Sequence, residues 1–227
     1  GHISNWDVSQ VNDFSDLFRY ASTFNDDIGN WDVSNGTSFY EVFQGATLFN
    51  QDIGGWDVSN GTNFDSMFER ATSFNQDIGN WNVSNGNDFG EMLRDAINFN
   101  QDIGGWDVTK GIDLTQMFEG ATSFNQDLTR WDVDSEAGLS NMFFDATAML
   151  NNQGVTATPD HSYFVGPAID DGDASFSITG TASVGNTLSI TEETPDPDGT
   201  GTLSYSWQSS SDGSTGWSEI STASTYT

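Results

Sequence analysis

Residues 49–72 read FNQDIGGWDVSNGTNFDSMFERAT. Within them Trp56 and Val58 stand two apart, the spacing that puts both side chains on one face of an extended strand. Phe64, Met67, Phe68 and Ala71 fall at i, i+3, i+4 and i+7, the apolar stripe of a helix. The expected unit is therefore a short strand followed by about two helical turns. Thr62, with Asp65 three residues on, resembles a capping box, and Gly61 offers a flexible corner before it. Phe74 and Ile78 then anchor a return segment, whose backbone Asn75 is placed to hydrogen-bond.

This stretch is one unit of an array. Trp6, Trp31, Trp56, Trp81, Trp106 and Trp131 recur every 25 residues without an insertion. The same interval carries Val8 through Val133, a column running from Phe14 to Leu139, and Ala21 through Ala146. An uninterrupted period means stacked, equivalent coils that bury a continuous core. Strands stack about 4.8 Å apart whereas helices need about 10 Å, so coils of this composition should curve with the strands on the concave face.

Charge narrows the function classes. The chain of 227 residues has 34 acidic side chains against five basic ones, Arg19, Arg70, Arg94, Lys110 and Arg130, for a formal charge of -29. A polyanion has almost nothing to bind there, so nucleic acid is excluded as a partner. With 17 Phe and 8 Trp the acidity does not signal disorder. Self-repulsion of that size is best tolerated where salt or divalent cations screen it, which suits an extracellular setting. The absence of cysteine removes disulfides and thiolate chemistry together. No apolar run reaches the roughly 18 residues of a membrane span, and no direct membrane insertion is expected; no signal peptide precedes residue 1.

After Leu150 the period ends. Residues 151–174 form a polar junction with Pro159, Pro167 and the acidic run Asp170, Asp171, Gly172, Asp173. From 175 to 227 the pattern is of short alternating strands, Phe176 with Ile178, Leu188 with Ile190, and Leu203, Tyr205 and Trp207, separated by turn-rich pieces such as 195–201.

The 49–72 motif, varied slightly in each coil, resembles the BspA-type leucine-rich-repeat family of bacterial surface proteins over residues 1–150. The segment ASVGNTLSITEETPDPDGTGTLSYSWQSSSDGSTGWSEI resembles the Ig-like repeats of bacterial adhesin stalks, with Trp207 in the place of the buried sandwich tryptophan. The expected fold class is thus an α/β repeat solenoid, leucine-rich-repeat-like, with 25-residue coils of parallel strands and short helices, followed by an all-β Ig-like sandwich. The resemblance implies a secreted or cell-surface location and a role in adhesion. One departure is that the family has an apolar residue where Val11 stands, whereas the next coils have Gly36, Gly61, Gly86 and Gly111, which loosens that corner.

Between the inward Trp and Val, a column of Asp7, Asp32, Asp57, Asn82, Asp107 and Asp132 should point to the opposite, exposed face. One reading is a stripe that binds cations or cationic ligands, flanked by Ser34, Ser59, Ser84 and Thr109. The other is that each carboxylate accepts backbone or Asn N–H groups within its own or the next coil. A second column, Asp27, Asp52, Asp77, Asp102 and Asp127, suits local Asx turns. Lys110 and Asp134, with Asn82, interrupt the repeat on the strand face, where a partner site is expected together with Asp32, Asp57, Asp107 and Asp132. Asp170, Asp171 and Asp173 are candidate calcium ligands, although they do not match an EF-hand loop. Calcium there should raise the melting temperature of the second module more than that of the solenoid.

Catalytic constellations are poor. The histidines are His2 and His161, and Asp160, His161 and Ser162 cannot form a triad as sequence neighbours. No enzyme is expected. The functional expectation is an adhesion module that binds a protein, peptide or glycan partner through the strand face. The alternative is a structural spacer or a subunit of an extracellular filament. Because the first coil begins in mid-repeat and the second module holds fewer strands than a sandwich needs, the chain reads as an excerpt of a longer protein, or as one that self-assembles by strand donation.

Overall fold

The computed structural model describes residues 2–164, 175–179, 187–194, 207–209, 218–221 and 225–226. The chain divides into two compact units, Gly1–Pro167 and Ala168–Thr227.

The first unit is a solenoid of stacked coils, and the expected inward residues are the ones buried. Phe64, Met67, Phe68, Ala71, Phe74 and Ile78 are wholly buried, Trp56 and Val58 nearly so, and their counterparts in neighbouring coils follow suit. Rings stack on rings along the axis: Phe39 on Phe64 at 5.5 Å, Phe43 on Phe68 at 5.5 Å, Phe49 on Phe74 at 6.0 Å and Trp56 on Trp81 at 6.4 Å. Offset or parallel aromatic contact at these distances is attractive beyond the area it buries. The indole N–H groups of Trp31, Trp56, Trp81, Trp106 and Trp131 are satisfied by the preceding coil, Trp56 Nε1 donating to the Ile28 carbonyl and Trp81 Nε1 to that of Ile53, both at 3.1 Å.

The backbone that carries this core is not the expected one. The expected α/β solenoid is corrected on both its elements, because the only α-helix among the described residues is α1, Thr147–Asn152, and the solenoid contains no extended strand. Inter-coil strand pairing is limited to single parallel bridges along Asp13, Ser38, Asn63, Asp88, Asp113 and Gly138. The reason lies in the spacing. Helices stacked side by side need about 10 Å, and rings stacking at 5.5 Å on that same face leave no room for them. The Phe column at 5.5 Å and the Trp column at 6.4 Å differ far less than the expected strand and helix layers, at about 4.8 and 10 Å.

Residues 64–71 instead form overlapping turns. Met67 N–H donates to Phe64 O, Glu69 to Ser66 and Ala71 to Phe68, all i to i−3. Apart from the Asp65 N–H, which Asn63 Oδ1 accepts within the coil, the remaining amides point along the axis: Phe64 donates to Asp88 O, Ser66 to Gly90, Phe68 to Met92 and Arg70 to Arg94, at 2.8–2.9 Å. Half of the N–H groups thus close turns within the coil and half tie it to the next, so the buried backbone is satisfied. Ser66 and Arg70 have φ of 55° and 56°, and sit at the third position of the turns starting at Phe64 and Phe68, where a type II turn takes positive φ. All six coils have this pair of positive φ values, with Gly45 and Gly120 filling the second left-handed position of their coils. An L-residue there is strained by about 1 kcal/mol or more. Asp145, exposed and at φ 58°, therefore gives a direct check. Asp145→Gly is expected to stabilise the solenoid by about 0.5 kcal/mol, after the entropy that glycine gains in the unfolded chain, as measured by urea denaturation.

Two further expectations change. Thr62 does not cap a helix, since its hydroxyl donates to the Thr37 carbonyl of the preceding coil at 3.1 Å, and Asn63 Oδ1 accepts the Asp65 N–H at 2.9 Å. The glycines at the corner are not flexible hinges either. A Cβ on Gly36 would lie 2.6 Å from Phe39 Cζ and 3.1 Å from Phe14 Cε2, so the missing side chain lets two stacked rings close over the backbone.

The sixth coil is covered by residues 147–164, part of which reads as a junction in sequence. Phe143 N–H donates to Ala157 O, Asn141 N–H donates to Thr158 Oγ1, both at 2.8 Å, and Phe164 stacks on Trp131 at 6.4 Å. In the second unit, β1 (Ser175–Thr179), β2 (Leu188–Thr194) and β5 (Thr225–Tyr226) form an antiparallel three-stranded sheet in the order β1-β2-β5. The strands β3 (Trp207–Ser209) and β4 (Ser218–Ser221) form a separate antiparallel pair. These short pieces do not amount to the expected all-β Ig-like sandwich, and strand makes up only a small part of the described chain. Trp207 begins β3, and its side chain lies outside the described residues.

Candidate functional site

The columns predicted on the exposed face are assembled as columns, although by turns rather than by strands. Asp7, Asp32, Asp57, Asn82, Asp107 and Asp132 are all exposed. Each of the first five uses one side-chain oxygen to close its own turn. Asp32 Oδ1 accepts the Ser34 N–H at 3.1 Å and the Ser34 hydroxyl at 2.6 Å. Asp107 does the same with Thr109, and Asn82 with Ser84. These are Asx turns, the second of the two readings open in sequence. Hydrogen bonding to Ser9 and Ser59 holds the carboxyls of Asp7 and Asp57 below the usual range, so these two are ionised at neutral pH. The other oxygen of Asp7, Asp32, Asp57 and Asp107 takes no hydrogen bond among the described residues.

Beside this column runs one of amides. Asn35 Nδ2 donates to Ser9 O, Asn60 Nδ2 to Ser34 O and Asn85 Nδ2 to Ser59 O, at 2.7–2.8 Å, each reaching back one coil. Lys110 takes the next position, its Nζ donating to Asn85 Oδ1 at 2.7 Å. Asp134 Oδ1 closes a turn on the Glu136 N–H at 2.8 Å. The face is thus a lattice of carboxylate, hydroxyl and amide with a one-coil repeat, interrupted by Asn82, Lys110 and Asp134.

The second acidic column behaves as turn chemistry predicts. Asp27, Asp52, Asp77 and Asp102 accept the N–H of Gly29, Gly54, Gly79 and Gly104, and Asp127 that of Thr129. Asn25 Oδ1 accepts the Asn50 N–H at 2.9 Å, and Asn50, Asn75 and Asn100 continue the ladder. The Asn column therefore bonds the next coil's backbone rather than its own turn. Asp170, Asp171 and Asp173 lie outside the described residues. Among the described residues no group of three or more His, Asp or Glu is arranged to hold a metal ion.

Sequence reasoning misses one polar network. Arg19 Nε donates to Gln44 Oε1 at 2.7 Å, Gln44 Nε2 donates to Glu69, and Arg94 lies 4.0 Å from Glu69 and 3.3 Å from Glu119. The left-handed positions feed it, Glu41 pairing with Arg19 at 2.8 Å and Glu91 with Arg94 at 2.7 Å. Glu41 and Glu69 are buried, and their pairing with arginines offsets the cost of that burial. Its sequence signal is that three of the five basic residues, Arg19, Arg70 and Arg94, occupy the same segment of their coils.

The profile described as "Mycoplasma protein of unknown function, DUF285" matches residues 1–96 and 63–157. The chain belongs to this DUF285 family. The two matches overlap and together span the stacked coils. No curated protein and no solved structure matches the chain.

Proposed function

We propose that this DUF285 solenoid is an extracellular interaction module, not an enzyme, that binds a protein, peptide or glycan partner across its carboxylate, hydroxyl and amide columns. The observation that carries the reading is the set of carboxylate oxygens left over after the turns are closed, held at one-coil intervals by Asp7, Asp32 and Asp57, and again by Asp107. A row of fixed acceptors suits a donor-rich ligand: ammonium and guanidinium groups of a basic peptide segment, or sugar hydroxyls. The formal charge of -29 adds long-range attraction for a cationic partner. Asn82, Lys110 and Asp134 break the repeat on this face and would set where along it a ligand sits. The resemblance to BspA-type surface proteins supports the cell-surface location.

The second reading, a spacer in an extracellular stalk or filament, draws on a specific observation as well. The turns at Asp7, Asp32, Asp57, Asn82 and Asp107 are each closed by their own residues, without help from a ligand. A glycan and basic-peptide array separates the two. Binding to a defined class, weakened at least tenfold when Asp32, Asp57 and Asp107 are all changed to Asn, supports the module. Asn retains the turn-closing oxygen, so the fold should survive the change, as Asn82 shows naturally. No hit, or hits indifferent to the triple change, favours the spacer.

A further inference from the structure

At Gly90 the coil stack has a notch lined by acids. The equivalent position carries Ser15, Tyr40, Asp65 and Thr115 in other coils, and at Gly90 that side chain is missing. A Cβ there would lie 3.4 Å from Asp88 Oδ1, 3.7 Å from Asp65 Oδ1 and 3.7 Å from Asp113 Cγ. Asp65 belongs to the third coil, Asp88 to the fourth and Asp113 to the fifth, and all three are half-buried. Two of them also close turns, Asp88 accepting the Gly90 N–H at 3.1 Å and Asp113 the Thr115 N–H at 2.8 Å. Among the described residues, Asp65 accepts only the neighbouring Ser66 hydroxyl, at 2.7 Å. We propose that this notch is an acid-responsive joint, in which carboxylates from three successive coils repel one another at neutral pH and hold the coils together more firmly once one of them takes up a proton.

The groups facing Asp65 are acidic on each side. Asp88 and Glu91 act on it from the fourth coil and Glu41 from the second, where Tyr40 also lies within reach. Asp113 acts on Asp88 from the fifth coil. Burial first, and these charges second, push the Asp65 carboxyl up to about 6 against the pull of the Ser66 hydroxyl, and burial with Asp113 pushes Asp88 up too. The sign follows from proton linkage. A carboxyl whose folded value lies above its unfolded one binds more protons when folded, so stability falls as pH rises through about 6 and is recovered as pH drops toward about 4. Below that, Asp57 and Asp127, whose carboxyls are held low by Ser59 and Thr129, lose their turn bonds on protonation. The solenoid should therefore be most stable at about pH 4–5 rather than at neutrality.

The test is thermal unfolding of the full chain from pH 7 to pH 4.5 at constant ionic strength, for the natural sequence and for Asp65→Asn, Asp88→Asn and Asp32→Asn. The solenoid transition of the natural chain is expected to rise by several degrees on acidification. Asp65→Asn should melt higher at pH 7 and lose at least half of that rise, whereas Asp32→Asn, on the exposed column, should keep all of it. If Asp65→Asn fails to fold, Asp88→Asn makes the same comparison, and carboxyl-carbon NMR of the natural chain reads the Asp65 titration directly. Equal pH dependence in Asp65→Asn and Asp32→Asn would assign the rise to diffuse charge and overturn the proposal, as would titration of Asp65 near 4. A gain in melting temperature with millimolar calcium at pH 7 that Asp65→Asn abolishes would also overturn it, making the notch a cation site.

Discussion

Truncation of Phe68 to Ala destabilises the solenoid by about 3–5 kcal/mol, the largest effect expected of any single core change here. The ring is wholly buried. It stacks on Phe43 at 5.5 Å, touches Phe74 at 4.0 Å and tilts against Trp81 at 6.3 Å, so its loss opens a cavity that borders three coils. The walls cannot collapse, because their positions are fixed by ladders continuing above and below. Urea denaturation followed by tryptophan fluorescence measures the change. A cost below about 1 kcal/mol would mean the ring is not part of a continuous stack.

Adjacent glycines give the second large effect. Gly54→Ala is expected to cost about 3 kcal/mol and Gly55→Ala less than about 0.5 kcal/mol. A Cβ on Gly54 would lie 2.5 Å from the backbone oxygen of Asp77 in the next coil, whereas one on Gly55 meets nothing within 4 Å. The clash is with a main-chain atom tied into its own coil, so it cannot be relieved by a rotamer change, and the two coils must part. Gly54 also donates its N–H to Asp52 Oδ1 at 3.0 Å, so a shift breaks the Asx turn as well. Equal melting temperatures for the two variants would contradict the tight approach of coils along that edge.

The core was legible in the sequence because a 25-residue period fixes which residue of each coil meets its counterpart. Trp56, Val58, Phe64, Met67, Phe68 and Ala71 are inward for that reason, whatever the backbone does between them. The apolar stripe does not distinguish a helix here, because consecutive four-residue turns, left-handed at Ser66 and Arg70, repeat closely enough to the helical period to bury the same i, i+3, i+4, i+7 positions. What distinguishes the two is spacing along the axis, and the clue lay in the composition. Aromatic residues at Phe39, Phe43 and Phe49 and again 25 residues on demand stacking at ring distance, which a layer of helices cannot match. Gly45 and Gly120, in the column that carries Arg70 and Asp95 elsewhere, were a second clue to positive φ.

The exposed columns were legible for a local reason. An Asp two residues before Ser, Thr or Gly closes a turn with little help from the rest of the molecule, as Asp32, Asp52 and Asp107 do. The Arg19–Gln44–Glu69–Arg94–Glu119 network was not, because its members differ from coil to coil and only the stacking brings them together. The same holds for the Gly90 notch, where a missing side chain matters through its neighbours in other coils.

The claim on which the rest depends is that residues 64–71 bond to the next coil and not to themselves as a helix. Hydrogen-bond scalar couplings between amide nitrogen and carbonyl carbon read this directly by NMR. The turn ladder predicts couplings from Ser66 to Gly90, Phe68 to Met92 and Arg70 to Arg94. Couplings from Phe68 to Phe64 and from Ala71 to Met67, the pattern of an α-helix, would contradict it.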